Sequence, residues 1–280
     1  MAALERLDVH NRFQFIGSTA GFLLTLFLLI IVGWGLEGVL TSHLFSQILI
    51  AAGGIALLHR SSGGWSRPRR LVMRNYLGNG LRLHMNAIGM FFITGSDILM
   101  LNYHRGPEET AFYQLGVQLM GMMMLVPQAA QMVVYGRVSK LGPDQAWKAH
   151  RKILAQVTAL VALGALVVGA SAPWWLILLV GESFSPSVDL FQWLLLASIG
   201  MTFSTVMAPQ WVGRGLFTSV SVMTLTFGGL NLILNWFWIP EYGMYGALYA
   251  TLITYTISVL VNGCMALYCQ KRVRVAGQDL

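Results

Sequence analysis

Eight apolar runs, each long enough to cross a bilayer as a helix, set what this chain can fold into. They fall at 13–33, 36–58, 78–101, 111–135, 153–180, 188–212, 216–238 and 243–268. A helical crossing takes about 20 apolar residues, because hydrocarbon offers the backbone no partners and each segment must satisfy its own. Barrel strands are shorter and alternate, so the runs read as helices. With charged residues at only 10% and mean hydropathy at +0.63, an ordinary soluble domain is excluded. The expected fold class is all-α, a polytopic membrane helix bundle of about eight transmembrane helices. The first run, Phe13–Gly33, is too long for a signal-peptide core and lacks a small-residue cleavage site, so it reads as a retained helix. The fifth is over-long for a straight crossing, and Pro173 before Trp174 and Trp175 predicts a kink with the aromatic pair at headgroup level.

The connections carry the orientation. One alternating set holds Arg60, Arg67, Arg69, Arg70 and Arg74, then Arg137, Lys140, Lys148, Arg151 and Lys152, then Arg214, and finally Lys271, Arg272 and Arg274. The leader adds Arg6 and Arg12 on the same side. The other set holds Glu37, Glu108, Glu109, Glu182, Asp189 and Glu241, with Arg105 its only base. Sixteen of the 18 Lys and Arg residues therefore fall on one side, which the positive-inside rule makes cytoplasmic. Both termini are then cytoplasmic. This spread over short loops also removes nucleic acid as a partner, despite the net charge of +7.

Several spans carry polar stripes. At 100° per residue, Thr224, Gly228, Asn231 and Asn235 share a face of the seventh span, and Thr251, Tyr255, Ser258 and Asn262 a face of the eighth. Gln114, Gln118 and Gly121 do so on the fourth, with Gln128 nearby, and Asn11, Gln14, Ser18, Gly21 and Thr25 on the first. Two readings stand side by side: small and amide residues let helices pack closely, or the polar faces line a shared cavity. The third span adds Arg82 and Asp97, about 22 Å apart at 1.5 Å per residue, so they cannot pair with each other. Intramembrane charges turn toward a bundle interior or water-filled path, and a long side chain near a span end can also snorkel. Pro127 and Pro209 mark candidate bends.

No P-loop, Gly-rich dinucleotide turn, HExxH or GxSxG occurs, and the six histidines are dispersed. His59, His104 and His150 read as solvated residues of loops or span ends. Cys264 and Cys269 define neither a disulfide framework nor a zinc site.

The order of motifs then points to a family. Asn231 and Asn235, followed by Ile239, Pro240, Gly243, Gly246, Ala247, Ala250 and Thr251, resemble the last helix pair of polysaccharide-biosynthesis flippases. Locally, Pro240 and Gly243 predict a tight outer turn, and Gly246 with Ala247 and Ala250 a close crossing. Asp97, Leu99, Leu101 and then Tyr113 are similar to the family's Asp-bearing span and the start of the next, and Pro127–Ser139 to its Pro-containing helix. Together they resemble the Wzx type of O-antigen or exopolysaccharide flippase, within the MATE-like multidrug/oligosaccharidyl-lipid/polysaccharide (MOP) superfamily.

The resemblance implies a two-lobe transporter with six helices per lobe. Residues 1–60 would be the last two helices of an N-terminal lobe lacking its first four, 61–75 a basic inter-lobe loop, and 76–280 the six-helix C-terminal lobe. It implies translocation of an undecaprenyl-diphosphate-linked oligosaccharide across the bacterial inner membrane in surface polysaccharide and lipopolysaccharide biosynthesis. The chain would be no enzyme and hold no cofactor, with proton or sodium as coupling ion. Its partners would be lipid-linked oligosaccharide, membrane lipid, and a polysaccharide polymerase or glycosyltransferases. The substrate-binding candidates are Arg82, Asp97, Gln114, Gln118, Asn231 and Asn235. Arg82 suits a diphosphate because guanidinium gives bidentate contacts. Asp97 would bond sugar hydroxyls or carry a proton, and the amides would bond sugar hydroxyls. A MATE-like cation or drug exporter and a non-transporting scaffold of polysaccharide assembly are the alternatives.

Overall fold

A computed structural model describes residues 7–61 and 70–276, and among them every regular element is helical. The order is α1 (Leu7–Leu26), a π-helical turn (Phe27–Ile31), α2 (Gly35–Ser61), α3 (Arg70–Thr94), α4 (Ser96–Arg105), α5 (Pro107–Met123), α6 (Leu125–Leu141), α7 (Pro143–Val180), a 3₁₀ turn (Glu182–Phe184), α8 (Pro186–Gly213), α9 (Phe217–Tyr242) and α10 (Met244–Ala276). Among the described residues, seven helices are long and apolar enough to cross a membrane, with α3 and α4 contributing one span, His84–Arg105. The pair α5 and α6, bent by 41° at their junction, makes an eighth. The expected count of eight is met by this route. The bend falls at Met124, three residues before Pro127, whose missing N–H leaves a carbonyl of the preceding turn without its usual donor. By contrast, α7 and α8 run on through Pro173 and Pro209 as continuous helices. Trp174 is exposed, and Trp175 packs edge-on against Phe191.

The chain divides into two compact units, Met1–Met73 and Arg74–Leu280. In the first, α1 and α2 form an antiparallel hairpin joined by hydroxyls. Thr25 meets Ser42 at 2.6 Å, and Ser46 donates to the Gly17 carbonyl at 2.8 Å. Gly21 and Thr25 of the first polar stripe therefore serve packing, whereas Gln14 and Ser18 are exposed. The side chains of Asn11, Arg60, Arg82, Lys271, Arg272 and Arg274 lie outside the described residues, as do Arg6 and the whole of 62–69, including Arg67 and Arg69.

The second unit is organised around α8, which packs on α5, α6, α7 and α10 and contributes Leu190, Phe191, Leu194 and Leu195, each at most 1% exposed. The main core joins α4, α5, α8, α9 and α10 through Leu101, Tyr113, Leu190, Leu194, Ile239, Leu248 and Tyr255. A second crossing is made of backbone. An ideal Cβ on Gly228 would stand 2.5 Å from the Gly89 carbonyl oxygen, and one on Gly89 2.7 Å from that of Thr224. Only glycine lets α3 and α9 meet so closely.

The two ends of this unit differ in charge. At one, the C-terminus of α6, the N-terminus of α7 and the C-terminus of α8 gather Arg137, Lys140, Lys148, Arg151, Lys152 and Arg214. At the other, Arg105 donates to the carbonyls of Ile239 (3.4 Å) and Glu241 (2.8 Å), capping α9 where Pro240 disturbs its last turn, and lies 3.9 Å from Glu109. Gly243 takes φ +58° in the predicted outer turn and packs against the Glu109 carboxylate.

Candidate functional site

Asp97 owes its position to a helix break. Gly95 interrupts α3 and α4, so Asp97 falls in the first turn of α4, where backbone N–H groups lack helical acceptors and a carboxylate is favoured. Its Oδ1 accepts from the Ile98 N–H at 2.8 Å, and its Oδ2 accepts from the Tyr113 hydroxyl at 2.6 Å. Asp97 is 2% exposed and Tyr113 fully buried. Thr251 and Tyr255, one turn apart on α10, bring two further hydroxyls to the same core; both are buried without a well-formed hydrogen bond. Asp97 thus sits in a polar pocket inside the unit. Tyr113 was the partner to look for: the Gly106–Pro107 turn folds α5 back along α4 and brings residues 16 apart in sequence together.

Asn231 and Asn235 are also fully buried. Asn235 donates to the Asn231 side-chain oxygen at 2.9 Å, and Asn231 donates to Thr254 on α10 at 3.4 Å. They face the α9–α10 seam. The rest of the α9 stripe is used likewise: Thr224 donates to Asn86 of α3 at 2.5 Å, and Gly228 makes the backbone crossing. The α10 stripe turns to α8, with Ser258 bonded to Ser204 and Asn262 accepting from the Trp211 indole, both at 2.8 Å.

Gln114 and Gln118 behave differently. Both are exposed, together with Gly121 and Gln128, along one side of the bent α5–α6 span. Amides turned to hydrocarbon without partners are costly, so this face suits a polar path better than lipid. The structure therefore does not gather the six candidates at one point. Asp97, Asn231 and Asn235 are interior, Gln114 and Gln118 are on a surface, and the Arg82 side chain is outside the described residues. A shallow apolar pocket on α2, at Ala52, Ile55, Ala56 and His59, holds none of them. Among the described residues, no three His, Cys, Asp or Glu side chains are placed to hold a metal ion.

The sequence reading missed His150. It is 1% exposed, not solvated, with Nδ1 2.9 Å from Gln210 Nε2 and its ring edge-on to Trp147. Gln210 gave no signal of its own, since a lone amide near a helix end is unremarkable in sequence.

Taken together, the apolar helices and their inward polar seams define a multi-pass membrane helix bundle. A family described as "Polysaccharide biosynthesis protein" matches residues 6–189, and the chain belongs to this family. No curated protein matches it. Among solved structures, a MATE transporter in its bent conformation is 13% identical, with TM-score 0.65 over 91% of this chain and 61% of its own. An outward-facing multidrug resistance MATE family transporter of the MOP superfamily is 13% identical, with TM-score 0.60 over 93% and 61%. A MOP superfamily transporter from Pyrococcus furiosus, for which reverse polarity of the binding pocket suggests a different function, is 11% identical, with TM-score 0.58 over 89% and 60%. The fold is that of MOP superfamily transporters, and the chain spans about three fifths of their length.

Proposed function

We propose that this protein takes part in moving an undecaprenyl-diphosphate-linked oligosaccharide from the cytoplasmic to the outer leaflet of a bacterial inner membrane, in surface polysaccharide biosynthesis such as that of O-antigen. Membership of a polysaccharide biosynthesis family combined with a MOP transporter fold carries this reading. The basic ends of α6, α7 and α8 face the cytoplasm, as do both termini. The glycan passes along a polar face while the polyprenyl tail stays in lipid. Gln114 and Gln118, exposed and not engaged in packing, offer amides to sugar hydroxyls. Arg82 attracts the diphosphate from the cytoplasmic end of α3. Asp97, with Tyr113 as donor, takes up the coupling proton or sodium ion rather than touching sugar. Asn231 and Asn235 would reach substrate only through an opened α9–α10 seam, and their work is to hold that seam.

The test is surface polysaccharide in a flippase-null strain expressing the full chain. Gln114→Leu with Gln118→Leu, and separately Arg82→Ala, is expected to lower surface polysaccharide at least tenfold with unchanged membrane expression. Wild-type polysaccharide from both variants would remove these roles. The MATE fold of the neighbours supports a second reading, a cation or drug exporter. A drug-susceptibility panel on the same cells separates the two. Failure of the wild-type chain to complement, with co-purification of a polymerase or glycosyltransferase, would favour a scaffold.

A further inference from the structure

At the basic end of the second unit, the first two turns of α7 are clasped to the last turn of α8. Gln210 Nε2 stands 2.9 Å from His150 Nδ1 and 3.3 Å from the Pro143 carbonyl, so its two N–H bonds tie the eighth and the first residue of α7 to one side chain. One turn on, Arg214 pairs with Asp144 at 2.6 Å. Val138 of α6 closes the third side against Gly213, which also lies next to Pro143. His150 is 1% exposed and Gln210 fully buried.

These contacts fix the histidine's chemistry. A Gln amide nitrogen is only a donor, so Nδ1 must accept, and the imidazole is neutral with its proton on Nε2. That nitrogen lies by the Val206 carbonyl without a well-aligned bond. Gln210 Oε1 is buried and has no partner. A second proton on the ring would set an Nδ1–H donor against the Gln210 NH₂ donor. Rotating the amide end for end relieves the conflict, because Oε1 then accepts from the imidazolium. The same rotation removes the donor from Pro143 O and frees the first turn of α7.

We propose that the His150–Gln210 pair is a proton-operated clasp, closed when His150 is neutral and released from the α7 N-terminus when it is protonated. Free imidazole titrates near pH 6.5, and burial holds His150 below that range, so the ring is neutral at rest and takes a second proton only on acidification. The surrounding charges favour the closed state at rest. On α7 they are Asp144, Lys148, Arg151 and Lys152, on α8 Arg214, and on α6 Arg137 and Lys140. Asp144, the one carboxylate among them, is already engaged by Arg214. The clasp also lies outside the hydrocarbon. At 38 residues α7 has a contour of about 57 Å, against a core of about 30 Å, and Lys148, Arg151 and Lys152 mark these turns as the surplus.

Hydrogen–deuterium exchange of the full chain in nanodiscs, corrected for intrinsic rates, tests this at pH 7.5 and 5.5. Wild-type protection over Pro143–Lys152 is expected to fall about tenfold at the lower pH, the equivalent of one well-formed hydrogen bond. His150→Gln should lose this response. Gln210→Glu should reverse it, because a carboxylate binds imidazolium better than imidazole. Wild-type protection independent of pH, or the same pH response in either variant, overturns the clasp. If His150→Gln does not fold, the sign change in Gln210→Glu decides alone.

Discussion

Two helix faces carry the same chemistry at the same spacing and meet opposite fates. Asn231 and Asn235 on α9 stand four residues apart, as do Gln114 and Gln118 on α5. The asparagines are sealed between helices, bonded to each other and to α10, whereas the glutamines are exposed. Amide spacing shows which residues share a face, but not what covers it. The neighbours supply that. On α9 the stripe is accompanied by Gly228 and Thr224, which draw α3 to within backbone contact, while on α5 an ideal Cβ at Gly121 meets nothing within 4 Å. A glycine pressed on backbone marks a seam, and a glycine in open space marks a free face.

Substitutions can break this contrast, and the largest effect belongs to the backbone crossing. Gly89→Leu or Gly228→Leu drives a side chain into a carbonyl and is expected to cost about 3 kcal/mol or more, read as a lower Tm or loss of folded protein in detergent. Gly121→Leu should leave Tm unchanged or raise it, since leucine favours a helix over glycine by up to about 1 kcal/mol. Equal losses at Gly121 and Gly228 would erase the distinction. Next comes Asn231→Leu, which strands the Asn235 amide and the Thr254 hydroxyl at a cost of about 1–2 kcal/mol, again in Tm. The smallest shift belongs to Gln114→Leu with Gln118→Leu, within about 0.5 kcal/mol of wild type although polysaccharide export falls. A destabilisation matching that of Asn231→Leu would mean that packing engages this face of α5 as fully as that of α9.

Much of the fold was legible because lipid imposes it. Run length gave the eight spans, and the alternation of basic and acidic connections anticipated the two charged ends of the second unit. The α5–α6 bend was foreshadowed by Pro127, but Pro173 and Pro209 left their helices unbroken, since neighbouring packing decides whether a freed carbonyl bends a span. The site was less legible. Asp97 stood out as an acid in an apolar run, yet its partner Tyr113 depended on a hairpin register that periodicity within one helix does not report. His150 looked solvated because it lies near a span end, whereas the fold packs it against Gln210 of α8 and Trp147. Periodicity placed the polar residues in stripes, while their allocation to seam or surface needed the other helix.

The Gly89–Gly228 crossing has a consequence for sequence drift in this family. Where two side chains collide, a larger residue on one helix can be offset by a smaller one on the other, and such pairs vary together. Here the obstacles are the carbonyls of Thr224 and Gly89, and no substitution shortens a backbone. An enlargement at either position has no compensating partner across the crossing. Residues 89 and 228 should therefore be among the most invariant in homologues while showing no covariation with each other, so a contact map inferred from paired substitutions would miss the tight approach of α3 to α9.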